Sequence, residues 1–460
     1  MQKKDLPYSN KGDLTTGPVE NHLIRLTVPM IWSILAVISL QLVDTYFIAM
    51  LGTEKLAAIS FTFPVTMIIT HLVFGLNIAM SSVVSRLAGQ KKMDDVKRVT
   101  LHGIFLAVAA SAVMALLCYI FLDPIFLALG ADQTTLSIIR DYMPLWLIGS
   151  VFLAIPVNGN SAIRALGDAF SPAVIMIAMA ALNVVLNPIL IFGWAGIPAL
   201  GVTGSALATL ISYIFCMLAG VYLLVIKKRL LPEDGLHLDK FKDSIKRLVF
   251  IAIPAGITNI IQPATNAFIV TLLATHGPEA VAAFGVVSRV EAFALLTVMA
   301  LALGMAPIVG QNWGAEIFAR VHRAINLSIG FNFIWSFLVA IIFGVFARPI
   351  AGAFSSDPAV VEIAALFFWI VPVSYAFGNL VFGWGSAFNA MGMPQRAFVM
   401  IVVKALVLTL PAVFAGHMIY GIKGIFIAIA CANIVSGIFF HISSWRACLM
   451  QEKNRLQTAA

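Results

Sequence analysis

A chain of 460 residues that is 61% hydrophobic and 11% charged departs from soluble domains, in which about a quarter of residues are charged. Together with a mean hydropathy of +0.98, this excludes a soluble enzyme or free-standing binding module and describes an integral membrane protein. The net charge of +8 does not point to nucleic acid, because the charges cluster in alternate loops, the pattern of membrane topology.

Apolar runs of roughly 20 residues recur along the chain, so the spans read as helices, and the alternating segments of about 10 residues that would mark barrel strands are missing. The first 23 residues are polar, with no apolar core and cleavage site of a signal peptide, and read as a cytoplasmic tail. Twelve spans follow, near 24–51, 56–84, 99–121, 139–163, 171–194 and 201–226, then 246–275, 280–308, 324–347, 363–389, 397–419 and 421–445. The polar stretch 227–245 divides them into lobes 24–226 and 246–445, and 446–460 form a second tail. All but six of the 29 Lys and Arg lie in the tails and in loops on the same side. The exceptions are Lys55, Arg140, Arg348 and Lys423 in outer loops, and Arg289 and Lys404 within spans. That bias predicts an inner-membrane protein with both termini in the cytoplasm.

The first span carries the first candidate for chemistry. In Ile31–Leu51 a single carboxylate, Asp44, lies inside an apolar run. An ionised side chain there costs at least about 2.5 kcal/mol, so Asp44 has to face protein or a wet cavity. It reads either as a structural carboxylate held by backbone and hydroxyl donors, or as a proton or cation site, since desolvation favours the neutral acid. Pro29 lies about four turns earlier and reads either as a static kink or as a hinge, because it removes a helix hydrogen bond. The fifth span carries Asn183 and Asn187, four apart and therefore on one face, either helix-packing glue or partners of Asp44. Asn158 and Asn160 at the end of the fourth span, with Thr203 and Ser205 opening the sixth, are further polar candidates.

The two halves repeat. Met80–Arg98 lies over Met305–Arg323, sharing the methionine, Gly89 with Gly314, and a terminal Val-x-Arg. Ser161–Gly167 lies over Ser386–Gly392 and Pro29 over Pro254 in the same register, and Gly201-x-x-Gly204 over Gly421-x-x-Gly424 after a short deletion. Each half has an even number of spans, so the repeat is parallel, an arrangement found in secondary transporters. Gln41-x-x-Asp44-Thr45-x-Phe47-Ile48 also corresponds to Gln262-x-x-Thr265-Asn266-x-Phe268-Ile269, which has no carboxylate. Gln41, Thr45, Asn158, Gln262 and Asn266 are therefore candidates for a substrate pocket. Among the remaining embedded ionisable residues, Lys404 is expected to snorkel, Arg289 and Glu291 do not share a helix face, and His71 reads as a hydrogen-bonded core residue.

The sequence has no Walker loop, no His-Glu-x-x-His, no nucleophile elbow and no channel filter, so neither an enzyme nor an ATP-driven pump is expected. Its four cysteines lack metal-type spacing and read as core. No metal and no cofactor is expected.

On Pro29, Gln41-Leu-Val-Asp44, Arg164-Ala-Leu-Gly167-Asp168, Asn183-x-x-x-Asn187-Pro188, Gly201-x-x-Gly204-Ser205-Ala206 and the six-plus-six halves, the chain resembles the multidrug and toxic compound extrusion (MATE) family over all twelve spans, and its DinF-like subfamily in particular. The resemblance implies two pseudo-symmetric six-helix lobes in a V and export of cationic or amphipathic drugs by antiport. It implies that Asp44 is the residue protonated, that Asn160, Asn183 and Ser205 are its polar partners, and that the first helix bends at Pro29. Asn187 departs from relatives with a second aspartate there, which favours a proton as the coupling ion, with sodium the alternative. The expected partners are small drugs or toxic cations and membrane lipids, with no nucleic acid and no oligomer required. A lipid or lipid-linked-sugar flippase of the same fold is the other functional reading.

Overall fold

The computed structural model describes residues 12–194, 196–232, 235 and 240–459. Residues 1–11 of the expected N-terminal tail, parts of the 227–245 linker and Ala460 of the C-terminal tail lie outside the described residues.

Every long element is a helix, as a hydrocarbon surrounding requires, since only a helix satisfies its own backbone there without a neighbouring chain. The first half comprises α1 (Val19–Ala49), α2 (Thr53–Gly89), α3 (Met93–Ile120), the short α4 (Leu122–Ala128), α5 (Gln133–Ala165), α6 (Phe170–Phe192) and α7 (Gly201–Tyr222), which ends in a π-turn, Leu223–Lys227. The second half comprises α8 (Phe241–Ala274), α9 (Pro278–Gly314), α10 (Phe318–Gly352), α11 (Pro358–Ile370), α12 (Tyr375–Met391), α13 (Pro394–Val402) and α14 (Leu410–Ala459). A 3-10 turn at Pro372–Ser374 joins α11 to α12 in one crossing, and a π-turn at Val403–Thr409 joins α13 to α14.

Among the described residues, eleven helical stretches are long and apolar enough to cross a membrane, the last running from Pro394 to Gln457. That last stretch is two crossings. Its helix breaks at Tyr420 (φ −132°) and Gly421 (φ 56°), and Gly416 and Gly424 then pack against each other, which residues eight apart on one straight helix, about 12 Å along the axis, cannot do. Twelve crossings result, six in each lobe.

The repeat is visible in the backbone. Gly52 and Gly277, before α2 and α9, adopt nearly the same unusual conformation (φ 111°, ψ 161° and φ 112°, ψ 165°), and Lys91 and Glu316, after those helices, both take positive φ (60° and 62°). The lobes meet in a symmetric set of contacts: α1 packs on α9, its counterpart α8 packs on α2, and α2 crosses α9 between them. The matched glycines mark that crossing. Gly89 lies against the backbone of Gln311, and Gly314 against that of Arg86, so neither position has room for a Cβ. These contacts lie at the chain-terminal face, so the V closes there and opens at the other face.

Residues 12–18 are not a free tail. Leu14 is fully buried in the core shared by α1, α9, α10 and α12–α14. Its N–H donates to Gln311 Oε1 (3.0 Å), and its carbonyl accepts from Asn312 Nδ2 (3.0 Å) and Arg320 Nη2 (3.0 Å). Arg320 also donates to the carbonyls of Thr16 and Gly17. These partners lie some 300 residues away and are invisible to local pattern.

At the same face, Asp168 bridges the α5–α6 turn to Lys228 (2.6 Å) and accepts from the Ser171 N–H and hydroxyl. Burial works against its ionisation, but the Lys228 and Ser171 bonds outweigh it and hold the carboxyl below the usual carboxylate range. A depressed folded-state value stabilises the fold above the unfolded value of about 3.9 and loses that contribution as pH falls through the folded one. Asp168→Asn should therefore lower thermal stability at pH 7 by an amount corresponding to about 1 kcal/mol, with the gap to the parent protein closing below pH 4. A gap unchanged by acidification in a pH series of melting curves would contradict this. Gly424→Val should split the last hairpin at a cost of about 1–3 kcal/mol, read as a lower melting temperature and lower monodisperse yield.

Candidate functional site

Asp44 belongs to a buried stripe of α1 that includes Leu40 and Ile48, one turn to each side. Helical periodicity therefore aims its carboxylate at α6 and α7. Two donors meet it at Oδ1: Asn187 Nδ2 (2.9 Å) from α6 and Ser205 Oγ (2.9 Å) from α7. Asn187 Nδ2 also reaches Asn183 Oδ1 (2.9 Å), and Asn183 Nδ2 reaches Thr209 Oγ1 (3.3 Å) on α7. Asn183, Asn187, Ser205 and Thr209 are at most 3% exposed. The result is a polar chain, Asp44–Asn187–Asn183–Thr209, closed on one side by Ser205 and joining three helices. The phenols of Tyr142 on α5 and Tyr213 on α7 lie within electrostatic reach of Asp44. Asn187 Oδ1 is buried without a hydrogen-bond partner, an acceptor beside the carboxylate.

Four of the sequence candidates thus come together, and others do not. Asn158 Nδ2 donates to Ala154 O (3.0 Å) within its own helix, while both polar atoms of Asn160 are buried without hydrogen bonds. Asn160 lies eighteen residues, roughly 27 Å of helix, beyond Tyr142 along α5, towards the closed face and away from Asp44. Gln41 and Thr45 are exposed, with Thr45 Oγ1 donating to the Gln41 carbonyl (2.8 Å). On α8, Gln262 Nε2 donates to Asn266 Oδ1 (3.2 Å), and Gln262 is exposed. Pro29 sits inside a continuous α1, where the Arg25 carbonyl loses its helical donor. Two residues before it, Thr27 packs on Gly304 of α9, and its hydroxyl is buried without a partner.

Sequence reasoning missed three things. Thr209 was legible, since Ser205 and Thr209 are four apart on α7 and share a face. Tyr142 and Tyr213 carry no local mark. In the second lobe, Lys404 does not snorkel: its Nζ donates to Gly378 O (3.1 Å) from within the π-turn, facing the lobe interior. Glu291, half-buried beside Tyr375, lies in the field of that ammonium. The π-turn turns Lys404 inward, which straight-helix geometry does not anticipate. Nearby, Ser328, Asn332 and Asn379 line a cavity of ≈ 30 Å³, with Ser336 Oγ donating to Asn332 Oδ1 (3.2 Å).

The MatE family model matches residues 29–189 and again 254–415, so each lobe carries one copy, beginning at Pro29 and at Pro254. The chain belongs to the MATE family. It is 36% identical over 435 residues to the FAD transporter of Shewanella oneidensis, covering 95% of this chain and 96% of that protein. It is 26% identical over 428 residues to the multidrug export protein MepA of Staphylococcus aureus, covering 92% of each. Among solved structures it resembles the Vibrio cholerae MATE transporter VcmN in the bent form, with a TM-score of 0.88, 30% identity and coverage of 94% of this chain and 97% of that one. This MATE protein is accordingly a multi-pass membrane transporter of small molecules and not an enzyme, built as two six-helix lobes in a V. Among the described residues no three His, Cys, Asp or Glu side chains cluster as a metal site.

Membrane hydrogen bonds of the Asp44 kind average about 0.6 kcal/mol, with a maximum of about 1.7. A double-mutant cycle on Asp44→Asn and Asn187→Ala, measured by equilibrium unfolding in detergent, should give a coupling energy of about 0.5–1.7 kcal/mol. Strict additivity would mean that the contact carries no energy.

Proposed function

We propose that this protein is a proton-coupled secondary exporter of the inner membrane, with both termini cytoplasmic, working as a monomer, and that Asp44 is the residue protonated. The observation that carries the reading is the convergence of donors from α6 and α7 on one α1 carboxylate oxygen. In the ionised state Asp44 ties α1 to the lobe interior. A proton entering from the open face removes the charge that Asn187 and Ser205 solvate, and the tie weakens. The Asn187 amide can then turn its oxygen to accept from the new O–H, since an amide presents donors at one end and an acceptor at the other. With the tie loosened, α1 is free to bend at Pro29, where the ladder already lacks a bond. Bending changes the volume of the first lobe and expels substrate. Loss of the proton towards the cytoplasm restores the tie. Coupling requires proton and substrate to favour different states, because a ligand with equal affinity for both shifts neither.

For substrate, the similarity to a FAD transporter at 36% identity over nearly the whole chain supports a flavin dinucleotide. Gln41 and Thr45 are exposed on α1 within three residues of Asp44, and polar groups beside a carboxylate support cationic amphipathic drugs as a second class, in line with the more distant likeness to MepA. In proteoliposomes with an imposed pH gradient, Asp44→Asn should reduce FAD or ethidium flux at least tenfold while retaining the fold by size-exclusion chromatography. Undiminished flux would reject Asp44 as the coupling site. Flux that follows an imposed sodium gradient instead would replace the coupling ion but keep the site.

A further inference from the structure

Where the lobes close, they enclose a second cavity, of ≈ 80 Å³. Its polar lining comes from both lobes: Asn77 and Ser81 of α2 and Arg164 of α5 on one side, Asn259 of α8 with Ser386 and Asn389 of α12 on the other. Arg164 is the one charged residue among its lining residues. Its Nη2 donates to Asn77 Oδ1 (3.3 Å), and Asn77 is itself fixed, donating from Nδ2 to Val157 O (2.7 Å) and accepting at its carbonyl from Ser161 Oγ (2.7 Å). The guanidinium is thus steered by a neutral amide rather than by an acid. Among the described residues no carboxylate lies within ion-pair distance of Arg164. Asp168, four residues on, is taken by Lys228 and Ser171.

A second cation stands close by. Arg86 Nε donates to the Ser82 carbonyl (3.2 Å), and the Ser82 hydroxyl donates to the Asn389 carbonyl of the cavity wall. The Arg86 guanidinium packs against Gly392, and it too has no carboxylate partner among the described residues. Both arginines are half-buried, and a charge drawn away from water is ordinarily paired, because desolvating it alone is costly. A guanidinium also has five N–H donors, and Arg164 spends one of them here. What such a group matches best is a phosphate oxyanion, which it can grip with two parallel bonds. The alternative uses for an Arg in the last turn of α5 are to neutralise the helix end and, through Asn77, to tie α5 to α2, and both are indifferent to the transported molecule.

We propose that Arg164, oriented by Asn77, is the phosphate-recognition site of an anionic substrate, engaged from the chain-terminal face when the lobes part there. This rests on the exporter reading above and narrows its substrate class: phosphate esters and pyrophosphates, such as a flavin dinucleotide, enter by this site, whereas plain cations do not need it. Asn259 and Asn389 bring neutral amides from the second lobe.

The test uses the full-length protein in proteoliposomes under one fixed pH gradient, with four probes: FAD, FMN, riboflavin and ethidium. Arg164→Gln should raise KM for FAD and FMN tenfold or more and lower kcat/KM for riboflavin and ethidium no more than twofold, with Arg164→Lys intermediate. Loss in equal proportion for all four probes, or no change for FMN and FAD, would overturn the proposal. Should Arg164→Gln fail to insert, Asn259→Asp places a negative charge in the cavity from the other lobe and should show the same selectivity. If the parent protein moves neither FAD nor FMN, the flavin reading falls, and the site is judged by binding: pyrophosphate should raise the melting temperature of the purified parent protein and not of Arg164→Gln. Absence of that shift in the parent protein would overturn the site itself.

Discussion

A carboxylate inside a hydrocarbon-spanning helix has to be solvated by its own protein, and the first lobe is arranged around meeting that demand. Asp44 draws one donor from α6 and one from α7, and the α6 donor is itself held by Asn183, which is held by Thr209. Three helices that apolar packing alone would leave free to slide in their lipid-like surroundings are pinned at one level. Lobe geometry and the charge state of one side chain are therefore linked. Under the proposed proton coupling, that linkage turns a stabilising contact into a switch.

The pseudo-symmetry shows how local this device is. Around the central axis the halves are nearly interchangeable, down to matched backbone torsions before α2 and α9 and matched glycines where those helices cross. At the level of Asp44 they differ: the corresponding residue of α8, Thr265, donates its hydroxyl to Ile261 O within its own helix (2.8 Å) and ties nothing to another. The second lobe instead holds a half-buried Lys404 against the Gly378 carbonyl, in the field of Glu291. A cation already answered inside its own lobe resists movement, while an acid answered by neutral groups can gain a proton and let them go. On the proposed coupling, the first lobe is the part that moves.

How much of this was legible in the sequence follows from the range of each interaction. The spans, their pairing into halves and the Asn183–Asn187 face follow from periodicity, which is local. The approach of those amides to Asp44 was readable only as an expectation, since periodicity gives a face and not a neighbour. Asn160 shows the limit. It shares the residue type and the resemblance, yet lies many turns away along α5, because the axial level of a residue depends on where its helix enters the membrane. The seam formed by Leu14, Gln311, Asn312 and Arg320 was beyond reach, since backbone carbonyls bind it across some 300 residues. Lys404 was misread because a π-turn rotates the helix face at that point.

The two unusual charge environments of the first lobe lie at its two ends and have opposite signs. Asp44, towards the open face, is a negative group solvated by neutral donors; Arg164, at the closed face, is a positive group solvated by a neutral amide. Neither is cancelled by a counter-ion among the described residues, and each therefore leaves a field in a low-dielectric interior, where fields carry furthest. An anion entering at the closed face first meets the attracting charge and then, further along the same lobe, the repelling one. Protonation of Asp44 removes the repulsion, and its loss restores it. For a negatively charged substrate this electrostatic change would run against the expulsion proposed on protonation, so export of an anion would have to be driven by the change in lobe shape. For a cationic drug the loss of the Asp44 charge and the loss of pocket volume would act together.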